Sequence, residues 1–300
     1  MQESFGGPEV LELREVPEPH AGPGQLRVRV AAAGLNPVDW IVAASERAAK
    51  MFGLSLPAGF GNDFAGTVDE VGDGVTGFAV GDRIYGGARG HAVAEYVTVV
   101  PGQDIVRHTP DGVDDTVAAT LDIAGRAAAA ALDVIGVGAG DTVLIGGAAG
   151  GVGVFTVQLA RIAGARVIGT ASEAAFDFLR ELGAEPVTYG DGLVERVRAL
   201  APDGITAATD LFGTETVEAA LALGVPAARI STIAAQGSDV KAKATGTNDT
   251  EPGALDRIAG LIATGKLRVP IAASYPVEQI REAVTFQAAR HAHGKVIVTL

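Results

Sequence analysis

No cysteine occurs in the 300 residues. Its absence excludes disulfide staples, thiolate-bound metal and a thiol nucleophile. Aromatic residues are scarce at 5%, so the core must be built mainly from aliphatic side chains. Basic residues are outnumbered, 23 Lys and Arg against 36 Asp and Glu, for a net charge of −13. Such a field repels phosphate backbones, no basic run offers a local exception, and nucleic-acid binding is not expected. A long apolar run is also missing: the stretch near 142–170 is broken by glycines and by Arg161 and Arg166, which rules it out as a membrane span. No basic segment followed by an apolar one opens the chain, so no signal peptide is read. We expect a soluble, cytoplasmic protein.

What is present is a globular balance, 48% hydrophobic and 20% charged. The length suits one large or two ordinary domains. The first hundred or so residues read as β-rich. Leu26, Val28 and Val30 alternate with Arg27 and Arg29, as in a half-buried strand. Short apolar runs follow around 66–72, 76–85 and 93–100, with Gly and Asp turns between them. An Ala-rich stretch from Asp114 to about Ile135 predicts one long helix with acids in its first turn.

From 142 the pattern alternates. Strands are predicted at 142–146, 166–170, near 187, at 206–212 and at 229–234; helices are predicted at 152–163, 174–183, 192–200 and 214–223. Short strands separated by helices predict parallel βαβ units in a doubly wound sheet. Residues 244–253 read as a polar loop, followed by helices at 254–264 and 277–289 and strands at 270–274 and 295–300.

The strand Thr142–Gly146 runs into Gly147-Ala148-Ala149-Gly150-Gly151-Val152-Gly153 and then a helix. A glycine motif alone serves equally as a tight turn. After a strand, opening a helix and starting a βαβ series, it points to a dinucleotide loop. Gly150, Gly151, Val152 and Gly153 are the expected pyrophosphate cradle, because small residues admit the phosphates to the backbone N–H groups of a helix start. The next strand ends in Thr170-Ala171-Ser172 rather than in the acid that holds an NAD ribose. Thr170 and Ser172 leave room for a 2′-phosphate, although no Arg or Lys lies between 170 and 179 and Glu173 is close. NADPH is the expected cofactor, with NADH the alternative.

Seven segments carry a family resemblance in order along the chain: FGGPEVLELREVPEP (5–19), GLNPVDW (34–40), GNDFAGTVDEVGDGVTGFAVGDRIYG (61–86), AEYVTV (94–99), GDTVLIGGAAGGVGVFTVQLA (140–160), FLRELGAE (178–185) and HGKVIV (293–298). The chain resembles the zinc-independent, quinone-oxidoreductase-like branch of the medium-chain dehydrogenases/reductases. The resemblance implies an α/β protein in which a Rossmann doubly wound parallel sheet, 119–267, is inserted into a GroES-like β-barrel substrate domain, 1–118 and 268–300, with the active site in the cleft. Zinc-dependent relatives carry Cys and Gly-His-Glu where this chain has Leu35-Asn36-Pro37 and Gly61-Asn62-Asp63, and the five histidines are scattered. No metal is expected. Ile41 and Ala43 stand where related quinone reductases often carry Tyr and Arg, and only four residues precede Phe5, where relatives have an edge strand.

Hydride transfer needs little side-chain chemistry beyond a donor for the oxygen that gains charge. Asn36 is the first candidate, its alternative being a turn former before Pro37. Arg126 is the second, either placed in the cleft or paired with Asp122 on a helix surface. The proton comes from solvent or Tyr85. Tyr189 is expected to flank the adenosine; Phe212, Gly213 and Ala234 should lie against the nicotinamide, and Lys295 is read as reaching the cofactor or as a solvated tail lysine. The leading function is NAD(P)H-dependent reduction of a quinone or an α,β-unsaturated carbonyl. The alternatives are enoyl reduction in a biosynthetic pathway and a non-catalytic dinucleotide-binding module. A small-molecule substrate and a homodimer are expected, with no nucleic-acid or membrane partner.

Overall fold

The structure, a computed structural model, describes residues 1–235 and 240–300. The chain divides into two compact units: Met1–Ile123 with Leu255–Lys266 and Ile271–Leu300, and Ala124–Ala254 with Leu267–Pro270. The first break falls a few residues beyond the expected 118, and the segment Leu255–Lys266 groups with the β-rich unit.

The first unit opens with β1 (Leu26–Leu35), β2 (Asp63–Val71), β3 (Arg83–Gly87), β4 (Tyr96–Val99) and β5 (Val106–His108). β1 is the hub strand. It pairs antiparallel with β2 through Leu26↔Val71 to Gly34↔Asp63, and with β4 through Leu26↔Val99. Leu26, Val28, Val30, Phe64, Val68 and Ile84 form the core beside it, in keeping with the alternation read along β1. Full burial of such a side chain stabilises by about 1.5–3 kcal/mol. Two short helices that the sequence reading did not assign, Pro37–Ala44 and Glu46–Met51, follow β1 directly. The expected single helix over 114–135 is two, Asp115–Ala118 and Asp122–Asp133. The break has a packing cause: a Cβ on Gly34 would lie 2.1 Å from the Ala119 carbonyl oxygen, so the chain there presses on the β1 backbone and needs glycine beneath it.

The second unit holds β6 (Thr142–Gly146), β7 (Arg166–Ala171), β8 (Glu185–Thr188), β9 (Ala207–Asp210), β10 (Ile230–Thr232) and the two-residue β11 (Lys243–Ala244). All pair in parallel, in the order β11-β10-β9-β6-β7-β8. That is the doubly wound order, with its reversal between β6 and β9. Leu144, Ile168, Val187, Val197, Ala208, Val217 and Ile230 pack sheet against helices.

The chain then returns to the first unit with β12 (Ile271–Pro276) and β13 (Lys295–Thr299). β13 lies between β12 and β1, parallel to the former and antiparallel to the latter. Its register, Leu35↔Val296, sets Lys295 beside the end of β1, while Gly34↔Asp63 sets Asp63 there from the other side.

Candidate dinucleotide site and a buried polar hub

In the second unit the expected cofactor-binding residues lie at or just beyond the carboxyl ends of the strands. β6 ends at Gly146, and Gly147 turns the chain with φ +69°. The Gly147 N–H donates to Thr170 Oγ1 at 3.2 Å and the Ala148 N–H to the Thr170 carbonyl at 3.2 Å, tying the loop to the end of β7. The helix Gly153–Ile162 then starts with no side-chain cap on its first turn. A Cβ on Gly153 would lie 2.4 Å from the carbonyl oxygens of Gly147 and Ala148, whereas one on Gly150 would meet nothing nearer than 3.4 Å. One glycine thus permits close packing and the other leaves open space. A helix start without a side-chain cap, its positive dipole end and a glycine-rich backbone suit a pyrophosphate.

Around this loop stand the other expected residues. Thr170 is buried, while Ser172, Glu173 and Ala174 are exposed at the end of β7. Tyr189 and Phe212 are large side chains left 56% and 58% exposed. A Cβ on Gly147 would lie 3.2 Å from Phe212 Cβ, and Gly213 has open space beside it. Ala234 is exposed after β10, its N–H held by Thr232 Oγ1 at 3.2 Å. Arg126 donates to the Thr247 carbonyl at 2.8 Å. By the division into units Arg126 falls in the second and Asp122 in the first.

The first unit contains a polar hub. Lys295, 2% exposed, donates from Nζ to Asn36 Oδ1 at 2.6 Å and to the Leu35 carbonyl at 3.1 Å, and lies 3.9 Å from Asp63 Oδ2. Asn36 Nδ2 donates to Asp63 Oδ2 at 2.9 Å and, more weakly, to the Gly34 carbonyl at 3.5 Å. The Asn36 N–H donates to Asp39 Oδ2 at 2.7 Å, and Asn62 Nδ2 donates to Asp39 Oδ1. Asp63 Oδ1 also accepts the Ile123 N–H at 3.3 Å.

Burial decides the charges here. It pushes the Asp39 carboxyl up to about 6, against the pull of the Asn36 N–H, Asn62 and Lys295. It raises Asp63 well above the carboxylate range, where Lys295 opposes and the Asp122 charge adds to the shift. It lowers Lys295, against the attraction of Asp63, Asp39 and Asp122.

Three of the expected site residues are enclosed in this geometry. Asn36, only 2% exposed, is engaged within the hub, donating to Asp63 Oδ2 at 2.9 Å and accepting from Lys295 Nζ at 2.6 Å. Lys295 is not a solvated tail residue, because its ammonium is enclosed. Tyr85 is 1% exposed, its hydroxyl has no hydrogen-bond partner among the described residues, and burial raises it further from acidity. It is a poor proton donor. Asp39 and Asp63 were missed as members of a charged cluster. Their one sequence signal was an acid set within otherwise apolar segments, NPVD and NDFAG.

Residues 22–111 match the model of the alcohol dehydrogenase GroES-like domain, and residues 151–251 that of the zinc-binding dehydrogenase domain. A quinone oxidoreductase of Pseudomonas aeruginosa is 31% identical, over 98% of this chain and 97% of that one. The solved quinone oxidoreductase of Coxiella burnetii covers 100% of this chain and 98% of its own with a TM-score of 0.86 at 28% identity. A mycobacterial protein solved in complex with NADPH covers 100% and 98% with a TM-score of 0.85 at 26% identity. The donor set does not fit zinc: the metal-ligand positions of zinc-dependent relatives hold the carboxamides Asn36 and Asn62, both engaged with buried acids. No group of three or more metal-binding side chains occurs among the described residues. With a Rossmann unit, a GroES-like unit and relatives along its whole length, this oxidoreductase belongs to the quinone oxidoreductase family of the medium-chain dehydrogenases/reductases.

Proposed function

We propose that this protein reduces a quinone or an α,β-unsaturated carbonyl with a reduced nicotinamide dinucleotide, without metal. The observation that supports this most directly is the glycine loop, where the helix start has no side-chain cap and a Cβ on Gly150 would meet only the Gly147 carbonyl oxygen, at 3.4 Å. The dinucleotide, when bound, supplies the hydride, and one proton completes the two-electron reduction. The Gly150–Gly153 backbone holds the pyrophosphate, and Thr170 holds that loop in shape. Ser172 meets the ribose, and Ala234 lines the nicotinamide end. NADPH is the cofactor we favour, with a modest preference, because the end of β7 offers hydroxyls and space but Glu173 stands beside them. The proton comes from water, since Tyr85 is enclosed. The substrate is a small molecule, and we assign the protein as a homodimer.

The test is steady-state oxidation of NADPH and NADH against a panel of quinones and enones, with and without a chelator. Turnover with either acceptor class, unchanged by the chelator, is the expected result. Absence of turnover with every acceptor, or loss of activity that zinc restores, overturns it.

A further inference from the structure

Within the β-rich unit, two short helices and two loops enclose a cleft of about 440 Å³, part of it open to solvent. The helices Pro37–Ala44 and Glu46–Met51 contribute one part of its wall, the segments 54–62 and 89–90 another, and Gln2 and Phe5 complete it. Backbone hydrogen bonds tie these pieces together. Gln2 and Ala58 exchange N–H···O bonds at 2.8 and 3.0 Å, and the Gly90 N–H donates to the Gly61 carbonyl at 2.9 Å. A Cβ on Gly90 would lie 2.8 Å from Leu54 Cδ2, so the two loops also pack closely. A cleft framed by bonded chain costs little to order around a ligand.

Its lining is apolar, with a few polar groups of distinct kinds. Phe5, Phe52 and Phe60 are three of the ten phenylalanines in a chain that is only 5% aromatic. Ala43 adds only a methyl group to the wall. Gln2 is 4% exposed, and its Nε2 donates to the Ala43 carbonyl at 3.2 Å. Its Oε1 has no hydrogen-bond partner among the described residues. An acceptor buried without a donor costs free energy that a hydroxyl on a ligand recovers. Asp39 is the one acid among the lining residues, and each of its oxygens already accepts an N–H, from Asn36 and Asn62. Arg89 is the one base. It is exposed and makes no hydrogen bond or ion pair among the described residues. Its planar fork suits a carboxylate, and the phenylalanines suit a flat ring.

We propose that this cleft binds a phenolic aromatic acid, with its ring among the three phenylalanines, its carboxylate on Arg89 and its hydroxyl donating to Gln2 Oε1. The site lies in the β-rich unit alone, and the proposal goes beyond the reductase reading.

Titration calorimetry on the full-length protein without dinucleotide tests it, with 4-hydroxybenzoate, benzoate and phenol as probes. In 4-hydroxybenzoate the two polar groups stand at opposite ends of the ring and cannot bond to each other. One molecule per chain is expected, held roughly tenfold more tightly than phenol, the scale of a hydrogen bond to a charged group. It should also be held several-fold more tightly than benzoate. Arg89→Gln should remove the advantage over phenol and leave phenol binding unchanged. Gln2→Met should remove the advantage over benzoate and leave benzoate binding unchanged. Ala43→Leu, which fills the cleft, should abolish binding of all three. Melting temperatures show whether each variant is folded, and Arg89→Gln, at an exposed position, carries the test even where Gln2→Met unfolds. Three results each overturn the proposal: parental affinity for 4-hydroxybenzoate in Arg89→Gln, binding that survives Ala43→Leu, or no binding of any probe. The reductase reading stands under all three, because it is measured by oxidation of the dinucleotide.

Discussion

Asp39 accepts two hydrogen bonds, yet burial holds its carboxyl up at about 6. The folded protein holds the carboxyl proton up to about pH 6, whereas an unfolded chain releases it near pH 4. Between those values the native state binds more protons, so this group's contribution to stability falls as pH rises through the window. A shift of this size corresponds to on the order of 3 kcal/mol. Urea denaturation from pH 4 to 7 should show the decline, and Asp39→Asn should flatten it. A profile of the variant that parallels the parent's would remove Asp39 as the cause. Lys295→Met is a harsher change at the same hub. It leaves Asp63 and the Asn36 carbonyl buried without their cation, a loss of roughly 3–5 kcal/mol for a broken buried pair. The double variant Lys295→Met with Asp63→Asn should recover part of that loss, and denaturation midpoints of the two proteins make the comparison.

At the scale of the element, the glycine loop has two separable parts. Gly153→Ala should disturb packing, since the added carbon must displace the carbonyls of Gly147 and Ala148. A destabilisation of about 1–3 kcal/mol and loss of dinucleotide binding are expected, read by melting temperature and calorimetry. Ala174→Arg sits on exposed ground beside Ser172. A guanidinium there should strengthen NADPH binding by roughly tenfold through charge-assisted hydrogen bonds to the 2′-phosphate, with NADH binding unaltered. Equal gains for both cofactors would show that the 2′-phosphate does not reach this strand end.

The strands and the loop were legible because each rests on local rules: the alternation in β1, the strand–glycine–helix order after β6, the helix periods between β7 and β9. The hub was not, since Asn36, Asp63 and Lys295 meet only through the register of three strands far apart in sequence. Nor was the break before Asp122, where helix propensity favours continuation and packing against Gly34 prevents it.

At the scale of the whole molecule, a ligand that binds only the native protein should raise its melting temperature. At about 100 times Kd the gain is about 2.7 kcal/mol. The parent should show this with NADPH, and Gly151→Val, which sets a branched side chain on the cradle, should not. Equal shifts in the two proteins would move the pyrophosphate elsewhere.

The order of the units along the chain bears on how the protein is made. The second unit is almost contiguous, whereas the first lacks β12 and β13 until after the second has been synthesised. On the ribosome, the Rossmann-type sheet has its strands available while β1 still presents an unpaired edge where β13 will lie. An open edge of that kind invites strand exchange with other chains. The hub closes only when Lys295 arrives with β13, at the last long-range pairing of the nascent protein.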